Sequence, residues 1–229
     1  MVYLYALIAG ASNVIAGWFA LHDLGGRVQP RYVTAFVAGT LLGATFFHIL
    51  PELNLNTDGP YLAAGFMTFY VLEKLMMIHA CGEGECELHQ VGPIAVLGMA
   101  LDNVVDGAGM VAGYNVAPLL GLSIAVAVVL HEIPQGWASA VIMKEARWGR
   151  RKIMATLGFA GLLYPLGALL PGGMSAGFQE KLLAFVAGDF IYLGAADMLP
   201  EAHRRFNGKV ILAVVMGLLL MGALKAFLP

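Results

Sequence analysis

Apolar residues run along this chain in eight long stretches separated by short polar ones. The stretches lie near 2–21, 32–50, 61–79, 91–113, 117–143, 153–170, 182–200 and 210–227. Each approaches the roughly 20 residues an α-helix needs to cross the hydrocarbon core of a bilayer. The pattern predicts an all-α integral membrane protein, one transmembrane domain over 1–229 built from eight helices. The fifth stretch is long, and Pro134 inside it is expected to bend it.

Composition agrees. Hydrophobic residues make up 59% of the 229 positions and charged residues 12%, against about 25% charged in a globular domain. The mean hydropathy is +0.78. A soluble fold of this length could not hide so much apolar surface. The formal net charge of −2 says little about partners, because most charges sit in the connections, and nothing points to nucleic acid. The opening Met1-Val-Tyr-Leu-Tyr has no positive leading region, so the first stretch is read as a retained helix.

The connections set the orientation. Arg27 and Arg31 follow the first helix and Lys74 lies near the end of the third. Lys144, Arg147, Arg150, Arg151 and Lys152 follow the fifth, and Arg204, Arg205 and Lys209 the seventh. Only Lys181 and Lys225 are left for the other side. Basic residues favour the cytoplasmic side, which places both termini outside and makes the cell membrane, crossed several times, the expected location.

Two helices share an ending. The second closes with His48-Ile-Leu-Pro-Glu52 and the seventh with Asp197-Met-Leu-Pro-Glu201-Ala-His203. One ends outside and the other inside under this orientation. That fits a 3+2+3 inverted-repeat bundle.

Two polar corners interrupt the apolar runs. The fourth helix carries Asp102-Asn103-Val-Val-Asp106-Gly107, and the fifth carries His131-Glu132-Ile-Pro134-Gln135-Gly136. Residues i and i+4 stack on one helix face, and i+1 lies about 100° round from i. A charge near the bilayer centre costs about 2.5–3.5 kcal/mol on insertion scales, and Asp102, Asp106 and Glu132 would repel one another. A divalent cation removes both difficulties. Carboxylates, the His131 imidazole and the Asn103 and Gln135 carbonyls suit Zn²⁺, Fe²⁺, Mn²⁺ or Cd²⁺, with no thiolate to favour a softer ion. A hydrogen-bonded packing cluster would account for Asn103 alone but not for six ligand-type residues in two matched corners. Gly107 and Gly136 are expected to let these two helices approach closely.

A third polar stretch, the cytoplasmic loop 80–90, holds Cys81, Cys86 and His89 among Glu83, Glu85 and Glu87. It is either a landing place for an ion leaving the membrane or a solvated turn. Its spacing is not that of a structural zinc site, and two cysteines in one loop do not make a disulfide framework.

The two corners resemble the ZIP (Zrt-, Irt-like) family of divalent-metal transporters. That family carries His-Asn-x-x-Glu-Gly on its fourth helix and His-Glu-x-Pro-Glu-Gly on its fifth. Pro165-Leu-Gly-Ala168 on the sixth stretch is similar to the family's Glu-Pro-Leu-Gly-Ala, and the resemblance spans essentially the whole chain. It implies a carrier that takes a divalent metal to the cytosol, with one helix bundle moving against a second bundle that forms a homodimer. It supports His48 and Glu52 as an outer entrance, the alternative being an ordinary interfacial pair. Asp197, Glu201 and His203 are read as a lead toward the cytosol, Tyr164 as a further pathway position, and Asp189 as a hydrogen-bonded structural acid or, less simply, a pathway residue. The departures are Asp102 for His, Asp106 for Glu, Gln135 for Glu, and Tyr164 where many members have Glu. They imply one well-held ion, a weak or absent second position, and a harder site.

Zn²⁺ and Fe²⁺ lead as cargo, ahead of Mn²⁺ and Cd²⁺, and no resident cofactor is expected. Among other polar residues, His22 and Asp23 are read as capping the first helix, Trp18 as an interface anchor, Glu73 and Lys74 as interfacial, and Met99 as a neighbour of the site. The competing reading is an intramembrane metal-dependent hydrolase, since His131-Glu132 opens like the zincin His-Glu-x-x-His. Gln135 occupies the place of the second His, which breaks that metal pair. A third reading is a metal sensor or scaffold without transport.

Overall fold

The computed structural model describes residues 1–22, 30–81, 91–203 and 207–227, with the side chains of 30, 76–81 and 91–97 outside that description. Every regular element among the described residues is helical. The rods are α1 (Val2–Leu21), α2 (Pro30–Ala44), α3 (Leu55–Cys81), α4 (Val91–Val116), α5 (Pro118–Glu145), α6 (Arg150–Leu169), α7 (Ala176–Ile191) and α8 (Gly208–Phe227). Two of them continue through a wide π-turn. Thr45–Ile49 and a 3₁₀ turn Leu50–Glu52 extend α2, and Tyr192–Met198 and a helical turn Leu199–Ala202 extend α7. Both Leu-Pro-Glu endings therefore follow a π-turn.

Six of these segments are long and apolar enough to cross a membrane: α1, extended α2, α5, α6, extended α7 and α8. α3 and α4 are as long, at 27 and 26 residues, and carry charges within their length. The outward faces match a lipid environment. Leu4, Leu7, Ile15 and Phe19 on α1, Phe159, Leu162 and Leu166 on α6, and Leu212, Leu219 and Leu220 on α8 are exposed. Trp18 is exposed and lies against His22. His22 ends α1 with its Nδ1 2.8 Å from the Trp18 carbonyl. Asp23 lies outside the described residues.

The largest differences between the rods and the apolar stretches are two early starts. α3 begins at Leu55 rather than 61 because Asn54 and Asp58 cap it. Asn54 Oδ1 accepts the Asn56 N–H and Asp58 Oδ2 accepts the Asn54 N–H, at 3.2 and 2.9 Å. These bonds satisfy amides that a helix start leaves open, and Pro60 falls inside the helix instead of ending it. α7 likewise begins at Ala176, with Ser175 at the N-cap position. At the far end of α5, Arg147 takes φ 60°. Trp148 N–H then reaches the Met143 carbonyl and Arg147 N–H that of Lys144, 3.0 Å each. This Schellman closure satisfies carbonyls the helix end would leave unpaired.

The rods pack in two groups of four. α1, α4, α5 and α6 form one, and α2, α3, α7 and α8 the other. Inside each group glycines bring backbones together. A Cβ on Gly107 would stand 2.1 Å from the Tyr164 carbonyl oxygen, and one on Gly136 2.4 Å from that of Asn13. Gly107 and Gly136 thus admit α6 and α1 respectively, not each other, which corrects the expectation above. Gly65 meets Phe185 and Gly188 meets Leu62 between α3 and α7, while Gly217 meets Phe36 and Gly39 meets Val214 between α8 and α2. Between the groups two contacts made by side chains stand out. Gly109 of α4 faces the Val186 side chain of α7, and Ser123 of α5 bonds His48 at the end of α2.

Candidate metal centre

The i, i+4 spacing places Asp102 and Asp106 one turn apart on α4, and α5 brings His131 and Glu132 against them. One ligand atom from each of the four lies within 4.8 Å of all the others. His131 Nε2 is 3.1 Å from Glu132 Oε1, 3.3 Å from Asp106 Oδ2 and 3.7 Å from Asp102 Oδ2. Asp106, His131 and Glu132 are fully buried and Asp102 is 5% exposed. Buried polar atoms are normally hydrogen-bonded. Here both Asp106 oxygens, both His131 nitrogens, Asp102 Oδ1 and Glu132 Oε1 find no hydrogen-bond partner among the described residues.

Such a set is costly as it stands and suited to a cation. Ligand atoms of a tetrahedral zinc stand about 3.4 Å apart, given bonds of about 2.0–2.2 Å. The His131 contacts bracket that spacing, so small rotations of the carboxylates would close the cage. Three carboxylates and an imidazole make a hard to borderline donor set.

Neighbouring groups orient these ligands. The Asn13 amide of α1 donates to Glu132 Oε2 and leaves Oε1 turned to His131. Sequence reading missed Asn13, although a buried asparagine in an apolar helix is itself a signal. Gln135 Nε2 donates to Asp102 Oδ2 at 3.2 Å, so Gln135 holds a carboxylate of the cluster. Asn103 is engaged on α6 at both ends of its amide: Nδ2 donates to the Ala160 carbonyl and Oδ1 accepts from the Tyr164 hydroxyl, each at 2.9 Å. Tyr164 is fully buried and serves that bond. Phe190 of α7 closes the site on another side, its ring 6.4 Å from that of His131.

A cavity of about 570 Å³ reaches the cluster at Asp102, with Met99, Gln135, Glu73, Asp197 and Glu201 also in its wall. Three of the expected pathway and interface acids therefore share one vestibule. Glu73 accepts from the Tyr192 hydroxyl and pairs with Lys74 at 2.6 Å. Met99 receives the Ser139 hydroxyl at 3.4 Å. Toward the opposite end Met110, Ile124, Val128, Leu41 and Ile49 are buried in one apolar cluster. His48 lies at that end, buried, with Nε2 2.9 Å from the Met221 carbonyl and Nδ1 2.9 Å from Ser123 Oγ. Glu52 is exposed beyond it, and His203 is exposed at the end of extended α7. Asp189 is fully buried on α7. The loop candidates Cys86 and His89, and the side chain of Cys81, lie outside the described residues.

Comparison with known proteins bears on what this centre belongs to. Residues 81–225 match the family described as ZIP Zinc transporter. The chain belongs to the ZIP zinc transporter family. Zinc transporter ZIP13 of Pongo abelii is 28% identical over 204 residues, covering 79% of this chain and 61% of that protein. The Mus musculus protein of the same name is 26% identical, covering 79% and 64%. The Drosophila melanogaster ZIP13 homolog is 23% identical, covering 85% and 77%. The first two thus extend by more than a third of their length beyond the match. All four clustered side chains fall inside the ZIP match, whereas Asn13 precedes it. Membership of a transporter family sets the hydrolase reading aside.

Proposed function

We propose that this ZIP chain carries a divalent transition metal into the cytosol through Asp102, Asp106, His131 and Glu132, exposing them alternately to the two sides. The observation that carries the reading is the buried cluster itself: four ligand-type side chains converge inside a bundle of apolar helices, and most of their polar atoms have no hydrogen-bond partner among the described residues. Zinc leads as cargo because the relatives are named zinc transporters; Fe²⁺, Mn²⁺ and Cd²⁺ fit the same donors. Asp102 is the ligand in contact with the vestibule, and Glu73, Asp197 and Glu201 form its acidic wall. That vestibule sits at the end bearing the basic connections, so we assign it to the cytosol and both termini to the outside, in the cell membrane.

The proposal extends to architecture. One transporter domain, 1–229, is built as a 3+2+3 inverted repeat, with α1–α3 matched to α6–α8 and α4 to α5. Paired contacts support this. Gly107 on α6 matches Gly136 on α1, and the Gly65–Gly188 contacts of α3 and α7 match the Gly217–Gly39 contacts of α8 and α2. The π-turns before both Leu-Pro-Glu endings agree. The group containing α4 and α5 moves against the other, which forms the homodimer contact implied by family resemblance.

Purified protein in proteoliposomes tests the site. Asp106→Ala and His131→Ala should each abolish Zn²⁺ uptake while eluting as folded, monodisperse protein. Undiminished uptake by both would reject the assignment, and the same vesicles rank Fe²⁺, Mn²⁺ and Cd²⁺ against zinc.

A further inference from the structure

Asp189 is the buried acid that the four-ligand site leaves unused. It is fully buried on α7, in the group of helices opposite α4 and α5. Neither of its carboxylate oxygens has a hydrogen-bond partner among the described residues. Packing register brings it to the site. Val186 of α7 lies against Gly109 of α4, and the two rods run in opposite directions in the eight-helix topology. Three residues on from Val186 is Asp189, and three residues back from Gly109 is Asp106, so each step of about 4.5 Å leads to the same level. Asp189 accordingly lies near enough to Asp102, Asp106 and His131 to feel their charge, and the ring of Phe190, next to it on α7, lies edgewise to that of His131. It stands outside the set of four whose ligand atoms all lie within 4.8 Å.

We propose that Asp189 is a metal ligand supplied by α7, holding a second divalent ion beside the first together with the unpartnered Oδ1 of Asp102 and with Asp106. The inference rests on the four-residue site proposed above and adds to it. Charge argues for two ions. Asp102, Asp106, Glu132 and Asp189 bring four carboxylates and His131 is the one base among them; a single dication offsets half of that charge and two offset all of it. The second position thus lies toward α7, the side from which the fourth carboxylate comes. An ion ligated from both helix groups also fastens them together, so it must leave before they can move apart.

Metal counting decides the matter. Detergent-purified full chain is dialysed to equilibrium against Zn²⁺ and bound metal is measured per chain. Wild type should hold two ions, and Asp189→Asn, which keeps the shape and drops the charge, should hold one. If the asparagine variant does not fold, Asp189→Ala gives the same reading. One ion in wild type, or an unchanged count in the variant, overturns the proposal and leaves the four-residue site standing. Asp106→Ala run alongside should bind less than one ion; binding equal to wild type there would remove the site itself and this inference with it.

Discussion

Gly136→Ala is a perturbation that touches no ligand and yet should weaken metal binding. The added Cβ would stand 2.4 Å from the Asn13 carbonyl oxygen, where ordinary contact begins at about 3.4 Å. α1 must therefore retreat by about 1 Å. Asn13 is also the residue whose amide holds Glu132 Oε2, and Glu132 lies one helical turn before Gly136. A retreat of that size takes the bond out of the 2.7–3.2 Å range of effective hydrogen bonds. Hydrogen bonds to charged groups contribute about 1.5–3 kcal/mol, and loss of a group that orients a ligand typically lowers metal affinity roughly 10–100-fold. Gly136→Ala should show a Zn²⁺ Kd raised by about that factor, with a melting temperature lowered by the ~1–3 kcal/mol of overpacking. Gly158→Ala is the control, since nothing lies within 4 Å of its Cβ; the same change there should stabilise the helix by up to about 1 kcal/mol. Equilibrium dialysis and thermal melts of both variants give the answer. An unaltered Kd in Gly136→Ala would refute the claim that spacing between α1 and α5 supports Glu132.

Tyr164→Phe removes the hydroxyl bonded to Asn103 and leaves the Asn103 contact with Ala160. It should cost about 1–3 kcal/mol in a melt and preserve Zn²⁺ uptake, because neither partner is among the four clustered ligands. His48→Ala breaks the link between α2, α5 and α8 and should lower stability by a similar amount, with Zn²⁺ stoichiometry unchanged. Orientation is read by labelling intact cells, with Cys81 and Cys86 replaced by serine. A cysteine at exposed Gly172 should react from outside, and one at exposed Glu145 only after permeabilisation; the reverse would invert the assigned topology.

Hydropathy made the rods legible because lipid-crossing segments must be long and apolar. The departures arise where local bonds outweigh that signal. Asn54 and Asp58 start α3 ahead of Pro60, and the π-turns at Thr45–Ile49 and Tyr192–Met198 have no mark in the apolar pattern. The candidate cluster was legible through i, i+4 spacing: of the six residues singled out, Asp102, Asp106, His131 and Glu132 come together. What spacing could not say is which neighbour each polar group meets. Asn103 turns to Ala160 and Tyr164, Gln135 holds Asp102, and Glu132 leans on Asn13, more than a hundred positions away in the chain. Those pairings depend on which rods lie side by side. The glycines were misassigned for the same reason, since a small residue announces a close approach without naming the partner.

That division of contacts has a mechanical consequence. Where a carbonyl rests directly on a glycine, as at Gly107, Gly136 and Gly167, no flexible layer intervenes, and four rods welded this way behave as one stiff block. Across the seam to α2 and α7 the contacts include the side chains of Val186, Phe190 and His48, which can swap rotamers and re-mesh. The plane of easy shear therefore runs beside the four clustered side chains and not between them, so the block can slide with that cage undistorted once an ion shared with Asp189 across the seam has left.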